Sequence, residues 1–273
     1  MINEISVSGP LIREVQVLEN RPLAQGACLM TMDCPEIAAL AEPGHFVKIR
    51  AWPEAEDGGR PLLDRPFSIH RARDGQLSIL YRILGPATYQ MSLASAGSLV
   101  KVSGPLGRSL AEADLNPAAG FYLAAGGIGL APMALALDWL GGRGAATLFY
   151  GERRGAAQVD RAWLESWAGD LSATAEASPA YGRTGLLTGP LEEALKRQIR
   201  PIFACGPTPM LAAVSDLGGR YGTPVWVSAE AGMACGFGVC LTCSLPLKGG
   251  GRFRVCREGP VLDGLTVDWG KIG

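Results

Sequence analysis

Short apolar runs of alternating character fill the first hundred residues. Residues 12–18, 44–49, 76–84 and 98–102 are four such runs, separated by turn-forming residues. Period-two runs of this length are half-buried strands, and several at close spacing predict a small antiparallel barrel or sandwich. Residues 54–59 (EAEDGG) are polar and Gly-ended, which predicts a surface loop. Near residue 120 the rhythm changes. FYLAAGG (121–127) is a continuous apolar strand, followed by a helix over 132–140. ATLFYG (within 145–151) is a second strand, and IFACG (202–206) a third. The third precedes a helical TPMLAAVSDL, and PVWVSAE (224–230) makes a fourth strand. Buried strands alternating with helices predict a doubly wound parallel sheet. The chain thus divides into a barrel, an α/β domain and a tail.

Composition narrows the function classes. The 273 residues suffice for two ordinary domains and a small third, and 48% apolar residues supply their cores. Lys and Arg (25) balance Asp and Glu (26) with no long run of either sign. Nothing in the charge therefore points to nucleic acid or an anionic membrane. The start, MINEISVSGPL, lacks a basic segment followed by an apolar one, so no signal peptide is expected. Residues 121–140 are almost wholly apolar, but Gly126, Gly127, Gly129, Pro132 and Asp138 interrupt them. A strand, turn and helix fit that segment better than a membrane span.

Four of the seven cysteines carry the strongest chemical signal. Cys235, Cys240, Cys243 and Cys256 are spaced C-x4-C-x2-C, then twelve residues, then C. This is the plant-type ferredoxin spacing for a [2Fe–2S] cluster held by four thiolates. Gly236 and Gly238 let the loop wrap closely around inorganic sulfide. Structural zinc is the alternative, although zinc sites more often pair two C-x2-C knuckles. A Rieske-type centre needs two histidines, and His45 and His70 lie far upstream. The remaining Cys28, Cys34 and Cys205 form an odd set, which suits a reducing, cytoplasmic compartment.

Three weaker motifs accompany the cysteines. Arg65-Pro66-Phe67-Ser68 puts a phosphate-pairing guanidinium, a flat ring and a hydroxyl on one extended segment. A solvated Arg before an edge strand is the plainer reading of the same residues. Gly126-Gly127-Ile128-Gly129-Leu130-Ala131-Pro132 follows a buried strand and allows a close backbone approach to an anion at a helix start. It is not the G-x-G-x-x-G fingerprint, and a turn that binds nothing is the alternative. Cys205-Gly206-Pro207-Thr208 ends another strand, where ligands of open α/β sheets bind. Cys205 there either touches a nicotinamide or is a small buried thiol.

Taken in order, RPFSI, YRILGPAT, VSGPLG, AAGGIGLAP, ACGPTPM and MACGFGVCLTC…RVCREGPV span almost the whole chain. The set resembles the electron-transfer subunit of type 1B dihydroorotate dehydrogenase, in the ferredoxin–NADP reductase superfamily. The resemblance implies a Greek-key FAD barrel over residues 1–104, an NAD-binding α/β domain over 105–224 and a [2Fe–2S] domain over 225–273. It maps FAD contacts onto Arg65, Pro66, Phe67, Ser68, Leu80, Tyr81 and Arg82, and onto the pair Ala87-Thr88. Ala87 stands where the family usually has Gly, which restricts the backbone there. Gly126, Gly127, Gly129, Cys205 and Gly206 become NAD(H) contacts, and Cys235, Cys240, Cys243 and Cys256 the cluster ligands. Ser68 and Cys205 are expected nearest the hydride path, neither acting as acid or base.

The implied activity is electron transfer from the FMN of a catalytic subunit, through [2Fe–2S] and FAD, to NAD+ in pyrimidine biosynthesis. The implied complex is a heterotetramer with two copies of each subunit. A flavin reductase subunit of another iron–sulfur complex, glutamate-synthase-like or sulfhydrogenase-like, is the alternative. Cys235 argues against transhydrogenating complexes, where Asp often replaces the first ligand. A zinc-containing binding module would be a different class again, and colourless. Arg153-Arg154 could clamp a 2′-phosphate, but the adjacent Glu152 favours NAD over NADP. Phe237, Val239 and Leu241 are expected to face the partner.

Overall fold

A computed structural model describes residues 10–23, 26–52, 61–113, 115–153, 159, 161–176 and 183–272. The polar loop at 54–59 and Arg154 lie outside the described residues. The N-terminal part contains β1 (Leu11–Pro22), β2 (Ala27–Asp33), α1 (Pro35–Leu40) and β3 (Phe46–Arg50). It continues through β4 (Arg65–Arg73), β5 (Gln76–Arg82), α2 (Pro86–Ser92) and β6 (Leu99–Leu106). Its strands close into a barrel in the order β1-β2-β5-β4-β3-β6, every pairing antiparallel. The predicted alternation is visible in β6, where every second residue from Val100 to Leu106 is buried. Val15, Val17, Met30, Met32, Val47, Ile49, Ile69 and Ile79 fill the barrel. Burying each such side chain contributes about 1.5–3 kcal/mol.

The second part contains β7 (Phe121–Gly126), α3 (Met133–Trp139), β8 (Ala146–Glu152), α4 (Arg161–Ala168) and β9 (Asp170–Ala175). It then runs through α5 (Thr188–Arg197), β10 (Ile202–Cys205), α6 (Thr208–Tyr221) and β11 (Val225–Ser228). The tail adds β12 (Ser244–Pro246), β13 (Arg252–Arg254) and β14 (Val261–Asp263). A six-stranded sheet has the order β14-β11-β10-β7-β8-β9, parallel except for β14. β7 and β10 are buried at every residue, as strands covered on both faces must be.

The sheet does not stop at residue 224. β11 lies beyond it, and β14 returns from the tail to pair Ser228 with Val261. The short β12–β13 pair stands outside that sheet. The apolar segment 121–140 is β7, a 3₁₀ turn (Gly127–Leu130) and α3. Among the described residues no helix is long and apolar enough to cross a membrane.

Barrel and sheet are joined by specific contacts. His70 of β4 is buried, and its Nδ1 donates to the Ala131 carbonyl at 2.9 Å. Its ring stacks on Trp163 and meets Trp167 edge-on, both at 5.7 Å. Arg71 and Arg73 pair with Asp138 of α3 at 2.9 and 3.0 Å.

Candidate functional site

The four tail cysteines form two pairs. Cys243 and Cys256 are buried, with their sulfurs 3.1 Å apart. The Gly238 N–H donates to Cys256 Sγ at 3.1 Å, and the Cys256 N–H to Cys243 Sγ at 3.4 Å. Cys235 and Cys240 are hydrogen-bonded to each other. Burial raises the Cys235 thiol, but backbone bonds from Cys240, Phe237 and Val239 outweigh it and lower its pKa. Cys240 is exposed, and the Thr242 hydroxyl, helped by backbone bonds from Cys235 and Thr242, lowers it to about 6. Cys256 moves the other way, pushed up to about 12 by burial and then by its bond to Cys243.

The loop conformation explains its glycines. Gly236 and Gly238 have φ of 89° and 87°, in the region that side chains avoid. A Cβ on Gly236 would stand 2.6 Å from Lys48 Cδ, and one on Gly238 2.9 Å from Arg257 Cβ. Among the described residues no three His, Cys, Asp or Glu side chains are gathered to hold a single metal ion. Two thiol pairs, one of them accepting backbone N–H bonds, fit a two-iron cluster better than one tetrahedral zinc.

A cleft of about 230 Å³ lies between barrel and sheet. Pro66, Phe67 and Ser68 of β4 line it, with Leu80, Tyr81 and Arg82 of β5 and Thr88 of α2. Ile128 and Ala131 of the glycine turn form another side. Residues 228–231, Met233, Val255 and Pro260 close it from the tail side. Val255 directly precedes Cys256, so the cleft and the thiol pairs share a wall. The apolar rings and the few hydroxyl and guanidinium groups fit a flat, polar-edged ligand such as a flavin.

Two residues expected to contact flavin do not line this cleft. The Arg65 guanidinium donates to the Leu63 carbonyl at 2.6 Å and does not line the cleft. Ala87 is buried in the barrel core, in the first turn of α2. Its helical backbone needs no glycine, and among the described residues only Asp74 and Leu241 are non-Gly with positive φ. The restriction expected at Ala87 is therefore absent. Thr88 reaches back to accept from the Leu84 and Gly85 N–H groups at 2.8 and 3.2 Å.

On the sheet side, the glycines serve close backbone packing. A Cβ on Gly129 would fall 2.1 Å from the Cys205 carbonyl oxygen, and one on Gly126 2.6 Å from Met210 Sδ. Gly127 takes φ of 55° at the turn. Cys205 is buried, and desolvation, then the Glu230 charge, push its thiol well up. It is a neutral thiol. Gly206, Pro207 and Thr208 line a second cleft of about 120 Å³ with Trp269 and Ile272 of the tail. Glu152, whose carboxylate beside Arg153 is expected to favour NAD over NADP, is buried and accepts from the Tyr150 hydroxyl. Glu230 faces both clefts, and desolvation by their walls raises its pKa. Glu230 has one signal in the sequence, its place at the end of the buried run PVWVSAE.

Known proteins share this arrangement. The family model for the iron-sulfur cluster binding domain of dihydroorotate dehydrogenase B matches residues 230–268. The dihydroorotate dehydrogenase B (NAD(+)) electron transfer subunit of Desulforamulus reducens is 32% identical over 268 residues, 94% of this chain and 98% of its own. That of Geobacillus thermodenitrificans is 34% identical, over 90% of this chain and 94% of its own. A solved NADH-dependent reduced ferredoxin-NADP oxidoreductase, described for flavin-based electron bifurcation, superposes with a TM-score of 0.78 at 25% identity. It covers 95% of this chain and 91% of that one. Barrel, sheet and cysteine tail thus define an iron–sulfur reductase of the ferredoxin–NADP reductase superfamily. Within it, the chain belongs to the family of dihydroorotate dehydrogenase B (NAD(+)) electron transfer subunits.

Proposed function

We propose that this chain delivers electrons from a dihydroorotate-oxidising catalytic partner to NAD+, as the electron-transfer subunit of a dihydroorotate dehydrogenase in pyrimidine biosynthesis. The carrying observation is the shared wall: Val255, next to the ligand Cys256, lines the same cleft as Phe67 and Ser68. A [2Fe–2S] cluster on Cys235, Cys240, Cys243 and Cys256 would supply one-electron steps, and FAD in the cleft the two-electron exchange with NAD(H). The chain's own residues bind and orient. Phe67 and Tyr81 offer ring faces, Arg82 a cation and Ser68 a hydroxyl, while the buried Cys205 holds its proton beside the second cleft. The work divides among residues 1–104 for flavin, 105–224 for NAD(H) and 225–273 for the cluster, the last segment sharing two strands with the second.

The partner is a subunit carrying FMN, in a complex with two copies of each chain. Phe237, Val239 and Leu241 are 52%, 75% and 57% exposed around Cys240. Three apolar side chains left open beside an electron carrier suit a docking surface. The free thiols of Cys28, Cys34 and Cys205 are all buried and support a cytoplasmic setting. Anaerobic co-purification with the partner, followed by an assay of dihydroorotate-dependent NAD+ reduction, tests the reading. Orotate and NADH formed together are expected; a partner that reduces NAD+ only from another donor would sink it.

A further inference from the structure

Lys48 is a buried lysine held by carbonyl groups. It is 8% exposed, and its Nζ donates to the backbone oxygens of Ala234 at 2.6 Å and Cys235 at 3.1 Å. Among the described residues it forms no ion pair with Asp or Glu. Lysine is almost never buried unless paired, and neutral carbonyls only partly replace the water an ammonium loses. A strand position occupied at that cost calls for a role.

The surroundings indicate one. Along β3, Val47 and Ile49 point into the barrel core, so Phe46 and Lys48 share the outer face. Phe46 lines the cleft between barrel and sheet. Lys48 stands opposite Pro66 in the β3–β4 register, one residue from Phe67. Its stem lies where a Cβ on Gly236 would be, 2.6 Å from Cδ, so the first cysteine's segment is draped directly over it. One side chain therefore spans the flavin-facing strand and the backbone of the first thiolate.

We propose that Lys48 is a positioning and tuning residue for electron transfer. It clamps the Ala234–Gly236 segment onto the barrel and places a positive charge, paired with no carboxylate among the described residues, beside the thiolates. The inference rests on reading the four cysteines as [2Fe–2S] ligands. One-electron reduction adds a negative charge there, and a buried cation at short range stabilises the reduced form and raises the reduction potential.

The test compares Lys48→Gln and Lys48→Arg with the wild type, each purified anaerobically with its partner. Iron and sulfide content and an EPR-monitored redox titration are measured. The Gln variant should show a lower midpoint potential, and the Arg variant one nearer to wild type. If the Gln variant loses its cluster, retention by the Arg variant supports the clamp. An unchanged potential in Lys48→Gln, or equal cluster loss in both variants, overturns the inference. A wild-type complex lacking iron and sulfide would instead overturn the cluster reading itself.

Discussion

In the barrel, Pro66, Phe67 and Ser68 sit on a nine-residue strand that pairs with both β3 and β5, whereas three of the thiols hang between β11 and β12 and the fourth between β13 and β14, strands of only three or four residues. The barrel sets its cleft residues by its own repeating hydrogen bonds and its own core. The tail borrows. Cys243, Leu245, Val255, Cys256 and Leu262 belong to the apolar cluster built by Ile202, Leu211 and Val225 of the sheet. Its loop is held by Lys48 of the barrel and by β14 on the sheet edge. A cluster site assembled from borrowed supports depends on the metal and on distant residues, while the barrel wall of the cleft depends mainly on local pairing.

That contrast breaks first at the thiols. Cys256→Ala removes one member of the buried pair and the acceptor of the Gly238 N–H. Iron content and dihydroorotate-dependent NAD+ reduction should fall to background while FAD stays bound. Flavin lost together with iron would show that the barrel leans on the tail as much as the reverse. Cys205→Ala, in the sheet, is the control and should keep its iron.

The joint between barrel and sheet gives the next largest effect. Desolvation lowers the pKa of the buried His70 from 6.5 to about 4, only partly offset by its bond to Ala131. The folded protein therefore keeps this ring neutral where the unfolded chain would protonate it. Stability from the site is complete above pH 6.5 and declines as pH falls toward 4. At 1.36 kcal/mol per pKa unit, the loss across that window is about 3 kcal/mol. Urea unfolding of wild type and His70→Asn between pH 7 and 4 checks it. The variant should be weaker throughout, with the gap closing by that amount as the solution is acidified; parallel profiles would remove the assignment.

Much of this was legible along the chain because it depends on local pattern. The period-two runs became β1, β3, β5 and β6, and the continuous apolar runs became β7, β8, β10 and β11. Cysteine spacing pointed to the metal because a wrapped loop is a local object. What stayed hidden depends on residues far apart. Lys48 reads as an ordinary polar position in FVKIR until the fold brings Ala234, 186 residues later, onto its ammonium. β14 is three residues long, too short to show a period, and only its pairing with β11 makes it part of the sheet. Ala87 raised a conflict because a missing glycine suggests a missing positive φ, but a helix start supplies the turn instead. Glu152 ends β8 beside Arg153, where its charge argues against a bound phosphate, yet its side chain turns inward to Tyr150.

Smaller substitutions sharpen the comparison between the two regions. Leu241 has φ of 61° and a side chain 57% exposed. That backbone costs a leucine about 1–2 kcal/mol, and in the proposed complex the exposed side chain faces the partner. Leu241→Asp should weaken the complex about tenfold or more, the loss of one central apolar contact. Leu241→Gly should also weaken it while making the isolated holo-chain slightly more stable, which separates strain from docking. Undiminished affinity in both variants would move the docking surface elsewhere. In the barrel, Thr88→Val removes the oxygen that accepts from Leu84 and Gly85 at the start of α2. Lost caps of this kind cost about 1 kcal/mol, and Thr88→Ser should recover most of it because the hydroxyl is what matters. Urea midpoints that rank Val below Ser and wild type would show the barrel tolerating a local loss. A change in iron content at this distance would contradict the separation of the two regions.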